Sequence, residues 1–153
     1  MTAICIIDTT IFCNILGVPK KSQDKEATQN ELRFLLNKGT SLLLPMAVIY
    51  ETGNHIAQNG DGRIRRQTAE LFVNQVRDAI LGEAPWSVTP MQDTTQIESW
   101  LSEFPDWAMT ETGFADLSII KIFEQQCELH LARRVFIWSY DKHLKSYDRP
   151  AKI

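Results

Sequence analysis

The chain has 153 residues, 44% of them hydrophobic and 23% charged, which fits one ordinary domain with a real core. A formal charge of −3 argues against a protein that coats nucleic acid non-specifically, although an acidic protein can still carry a local basic patch for RNA or DNA. Cys5, Cys13 and Cys127 are widely spaced and form no CxxC pair, so they indicate neither a disulfide framework nor a thiolate zinc site and suit a reducing cytosol.

Ala3-Ile4-Cys5-Ile6-Ile7 runs straight into Asp8-Thr9-Thr10, the pattern of a buried parallel strand whose carboxyl end opens onto a site. Thr9 to Leu16 reads as a short helix with Thr9 or Thr10 near its N-cap, stopped by Gly17 and Pro19, with Phe12, Ile15 and Leu16 facing inward. Ser22 to Lys38 carries Leu32, Leu35 and Leu36 at helical spacing, and Gly39 falls where a left-handed residue closes a helix. Ser41-Leu42-Leu43-Leu44 is a second buried strand. Pro45 opens a further helix in which Glu51, Asn54 and His55 share a face and form a polar cluster. After Gly60-Asp61-Gly62, a long helix from about Arg63 to Leu81 is ended by Gly82 and Pro85.

Trp86 to Thr89 reads as a weak third strand. Asp93 or Thr94 caps a helix to about Phe104, and an irregular stretch containing Pro105 and Gly113 follows. Asp116, Ile119, Ile120 and Phe123 then place Asp116 on the inward side of a helix at its first turn, where the helix dipole favours a carboxylate. Val135-Phe136-Ile137-Trp138 is a strand ending in Ser139-Tyr140-Asp141, and Lys142 to Ile153 is expected to form a helical turn and coil. Short buried strands alternating with helices give a parallel sheet flanked by helices, an α/β/α sandwich, as one domain over residues 1–153. No apolar run approaches a membrane span, and no basic segment leads into an apolar one near Met1, so a soluble cytoplasmic protein is expected.

Asp8 and Asp141 at strand ends, Asp116 at a helix start and Glu51 on an inward helix face can converge above one edge of the sheet. Four carboxylates together repel one another unless a cation is present, and hard oxygen ligands select Mg²⁺ or Mn²⁺. Taken singly, each has an ordinary alternative: Asp8 is placed to cap a helix, and Glu51 to sit on a solvated helix face. The chain has no GxGxxG after the first strand and no GxxxxGK[ST], which excludes the usual nucleotide phosphate loops. The absence of a second acid two positions after Asp8 also disfavours phosphoaspartate chemistry.

Ile-Ile-Asp8-Thr9, Glu51 in the third helix, Gly113-Phe114-Ala115-Asp116 and Trp138-Ser139-Tyr140-Asp141, in that order, resemble a PIN domain over nearly the whole chain. In size and element order the chain is similar to the VapC-type toxins of bacterial toxin–antitoxin pairs. The resemblance implies an Mg²⁺- or Mn²⁺-dependent endoribonuclease with Asp8, Glu51, Asp116 and Asp141 as its acidic, metal-holding pocket. It also implies that Thr9 and Ser139 hold those carboxylates or contact the scissile phosphate. Thr10 stands where family members usually have Asn, and Gln92 to Thr112 lengthens the chain beyond the usual toxin. An antitoxin bound in an apolar groove and a homodimer are further implications.

RNA beside such a pocket needs positive groups at the rim. Arg63, Arg65 and Arg66, then Lys142, His143 and Lys145, are the candidates, with a plain solvated helix face as the alternative for most of the arginines. Of these, Arg63, Arg66, Lys142 and His143 are the expected RNA contacts. His55 reads first as a hydrogen-bonding or surface residue and second as a metal ligand. A catalytically silent PIN-like module that binds RNA or protein, and a metal-dependent DNase, are the competing functions.

Overall fold

The computed structural model describes residues 1–153. Five strands form one sheet: β1 (Ile4–Ile7), β2 (Ser41–Leu44), β3 (Trp86–Val88), β4 (Val135–Trp138) and β5 (Asp148–Arg149), in the order β3-β2-β1-β4-β5. The first four are parallel, with Ile4 opposite both Ser41 and Val135. Six helices connect them: α1 (Thr9–Leu16), α2 (Lys25–Asn37), α3 (Met46–Ala57), α4 (Gly62–Ile80), α5 (Thr94–Met109) and α6 (Phe114–Leu129).

The steps from β1 to β2 to β3 travel one way across the sheet, and the step from β3 to β4 returns past β1. Right-handed crossovers therefore put α1 to α4 on one face and α5 with α6 on the other. This is why β1 reads as an unbroken apolar run: all four of its residues are buried, as are all four of β4. The strand order reverses between β1 and β4, so the crevice beyond their carboxyl ends is the switch point at which α/β sheets hold ligands. Asp8 and Asp141 flank that crevice. No helix is long and apolar enough to cross a membrane.

Four details differ from the sequence reading. The N-cap of α1 is Asp8, whose side chain accepts from the Thr10 amide, rather than Thr9 or Thr10. Helix α2 begins at Lys25, three residues after Ser22, and its Leu36 is exposed while Leu35 is buried. Helix α5 passes through Pro105 and ends at Met109. Proline removes one ladder bond there, while Trp107 two residues on packs against the core and Phe104 meets Phe114 edge to face at 5.3 Å.

The tail, finally, is not helical: after turns through 141–146 it adds β5 antiparallel to β4. Two residues carry no alternation to read, so side chains rather than apolar pattern fix this strand. Arg134 pairs with Asp148 through two hydrogen bonds of 2.9 and 2.7 Å. The Arg149 guanidinium donates to the carbonyls of Cys127 and His130 at 3.0 Å and Leu131 at 2.8 Å, placing a cation at the carbonyl end of α6.

Candidate active site

Asp8 leaves β1 as the cap of α1, Glu51 projects from the second turn of α3, Asp116 lies in the first turn of α6, and Asp141 follows β4. Four separate elements thus deliver four carboxylates to one open cavity of about 380 Å³. Asp24 also lines it, and Lys21 is its one lysine or arginine. None of the chain's ion pairs engages these acids.

Hydroxyls hold the carboxylates in place. Ser139 Oγ donates to Asp8 Oδ2 at 2.6 Å inside a buried contact, and Thr10 Oγ1 donates to the same oxygen at 2.9 Å. Those two hydroxyls also accept from the loop after β4: Asp141 N donates to Ser139 Oγ at 2.9 Å, and Tyr140 N to Thr10 Oγ1 at 3.0 Å. Asp8 and Asp141 are therefore clamped to each other across the β1–β4 crevice. Thr9 Oγ1 donates to Glu51 Oε1 at 3.3 Å, and His143 N donates to Asp141 Oδ1 at 2.8 Å.

Each of the four carboxylates still keeps at least one oxygen free of protein donors, and Asp116 keeps both. Burial, followed by the charges of Asp116 and Asp8, pushes the Glu51 carboxyl above its ordinary range. Burial, then Asp8 and Asp141, does the same to Asp116, with His143 partly offsetting it. His55 is pushed the other way, by burial and then by Lys21.

No three acid, histidine or cysteine side chains converge closely enough to grip one ion unaided. The donor set is nonetheless anionic, all oxygen and under-bonded. That chemistry fits a hard divalent cation that keeps several waters and bridges through them to part of its ligands. His55 lines the same cavity, whereas Asn54 is exposed and lies outside its lining, because Val48, Thr52 and Ile56 form the packing face of α3.

The expected phosphate contacts fare differently. Arg63, Arg66 and Lys142 do not line the acid cavity. Arg66 is exposed and pairs with Glu70 one turn on, at 3.0 Å, and lines with Arg65 a separate groove between α3 and α4. His143 lines a neighbouring cavity together with Asp116 and Asp141.

Sequence reasoning missed Lys21, and it missed the part played by Thr10, Asn14 and Tyr140. Asn14 is buried; its amide donates to Thr10 O at 2.7 Å, and its carbonyl accepts from Asp24 N at 2.9 Å, which fixes the loop bearing Lys21 against α1. A polar residue one turn beyond Thr10 on an otherwise apolar helix was the available signal. Tyr140 Oη meets Thr28 Oγ1 at 2.6 Å and closes the same wall. No protein-family model, curated protein or solved structure matches this chain.

Proposed function

We propose that this protein is a divalent-metal-dependent endoribonuclease of the PIN type, the toxin of a toxin–antitoxin pair. The observation that supports it best is the set of four under-bonded carboxylates, from four elements, around one cavity at the switch point of the sheet. Such a cluster has no structural use that apolar or paired residues would not serve better, since Glu51 and Asp116 are held half-buried against the repulsion of neighbouring acids.

Asp8, Glu51, Asp116 and Asp141 would hold Mg²⁺ or Mn²⁺, which when bound neutralises charge on a phosphodiester and makes water a better nucleophile. Ser139 and Thr10 keep one Asp8 oxygen occupied, which leaves its other oxygen without a protein donor at the cavity that Asp8 lines. Thr9 orients Glu51 in the same way. Lys21 at the mouth is the positive group best placed to meet a backbone phosphate, and His143 takes that part on the far side of Asp116 and Asp141. The antitoxin partner and a homodimer belong to the proposal through resemblance in residue order. A monodisperse monomer, unaffected by any antitoxin encoded beside it, counts against both.

The test is cleavage of a mixed structured RNA pool and of single-stranded DNA with Mg²⁺, Mn²⁺ or EDTA, with Asp8→Asn as matched control. Cleavage of RNA alone that needs the metal and disappears in the variant supports the proposal. A folded protein that binds RNA without metal and never cuts it is a binding module, and cutting of DNA alone makes it a DNase.

A further inference from the structure

A second cavity, of about 330 Å³, lies across the wall formed by Asp116, Asp141 and Leu144, which both cavities share. The two cavities adjoin at these residues, Lys21 and His55 lining the first and His143 the second.

The far cavity has a different chemistry from the first. Two aromatic side chains line it: Trp107 of α5, packed on the core, and Tyr147, which meets Phe123 edge to face at 5.4 Å. Both are therefore fixed walls rather than mobile side chains. Hydroxyls of Thr112 and Ser146 border them, and no lysine or arginine is present. A pocket of this size with aromatic walls and polar edges suits a flat, uncharged, hydrogen-bonding ring rather than a phosphate.

Glu111 also lines the cavity, in an unusual conformation. Helix α5 closes with Glu111 N donating to Ala108 O and Thr112 N donating to Trp107 O, both at 3.1 Å, which is the turn that normally ends in glycine. Glu111 takes that place at φ 64°, in the left-handed region. Its carboxylate enters none of the chain's ion pairs. The chain thus keeps an exposed residue with an unpaired carboxylate at a backbone position where glycine would sit more easily, and backbone strain of this kind recurs at ligand sites.

Resting on the nuclease reading above, we infer that the second cavity is a nucleobase subsite for the nucleotide adjoining the phosphate at the acids, and that Glu111 makes guanine its preferred base. Guanine alone presents two neighbouring N–H donors on its Watson–Crick edge, and one carboxylate can accept both. That edge is open only in an unpaired base, so the substrate is a single-stranded or looped RNA with guanine beside the cut.

The experiment is a ¹⁵N NMR titration of the full chain in Mg²⁺ with GMP, AMP, CMP and UMP in turn. GMP is expected to shift the Trp107 indole and the amides of Glu111, Thr112 and Ser146, with binding about tenfold tighter than UMP. Glu111→Gly is expected to remove that advantage while its melting temperature holds or rises, because glycine relieves the positive φ. Equal affinity for all four nucleotides, or shifts confined to the Lys21 and His55 side, overturns the subsite even if RNA is cut. A guanine preference that survives in Glu111→Gly overturns the role of Glu111. Shifts at these residues in a protein that cuts no RNA sink the nuclease reading and leave the subsite standing.

Discussion

Replacing Ser139 by alanine removes the hydroxyl that joins two strand ends, and the structure sets the size of the effect. The Oγ is buried, donates to Asp8 Oδ2 at 2.6 Å and accepts from Asp141 N at 2.9 Å. A hydrogen bond to a charged group contributes about 1.5–3 kcal/mol, and a neutral one about 1 kcal/mol. Thr10 remains on the same Asp8 oxygen at 2.9 Å, and Asp141 is only half-buried, so water can replace part of what its amide loses. The expected loss is therefore ~2–3 kcal/mol, or roughly 4–12 °C in melting temperature for a domain of this size. Urea unfolding in EDTA measures it without interference from metal. Because Thr10 and Ser139 donate to one oxygen, removing both leaves Asp8 without a hydroxyl partner. The Thr10→Ala, Ser139→Ala double variant should then lose at least ~0.5 kcal/mol more than the sum of the singles. A Ser139→Ala loss under about 1 kcal/mol, or simple additivity, refutes the clamp.

Glu51→Gln removes a carboxylate that is buried against Asp116 and Asp8, so in EDTA the variant should melt above the wild type, while Mg²⁺ should raise its melting temperature less. The same two groups give a pH signature. Glu51 and Asp116 are raised in the folded state, so the folded chain binds more protons than the unfolded one between the ordinary and raised values, and their contribution to stability falls as pH rises through that window. In EDTA, the deficit of the wild type against a Glu51→Gln, Asp116→Asn variant should be larger at neutral pH and shrink as pH drops into the ordinary carboxylate range; a constant difference contradicts the assignment. Lys21→Ala should weaken RNA binding and flatten the dependence of log affinity on log salt by about 0.7, the share of one phosphate contact on a single strand. Arg66→Ala, which removes a pair exposed on both sides, should change stability by no more than ~0.5 kcal/mol and leave that slope alone.

The four parallel strands and most helices were legible in the sequence because local rules set them. Buried runs such as Ile4–Ile7 and Val135–Trp138 admit few alternatives, and Gly17 and Gly39 end their helices with φ of 71° and 74°. The position of each acid relative to its element was legible for the same reason: Asp8 ends a strand whether or not the rest of the chain is known. Pro105 and β5 were not legible, since the first defies the usual effect of proline on a helix and the second is fixed by Arg134 and Arg149 reaching partners distant in sequence.

What the sequence determined by itself, then, is that four acids stand at the ends of elements able to form a parallel sheet. Only the tertiary structure decided that they share one cavity, because strand order, and with it the switch point between β1 and β4, depends on which strands pair. It also decided which positive groups reach them. Helix periodicity gives a face but not the neighbour it looks onto, so Arg66 lines a groove away from the acids and Arg63 lies outside the acid cavity, while Lys21 is brought to the mouth by a loop that Asn14 holds in place.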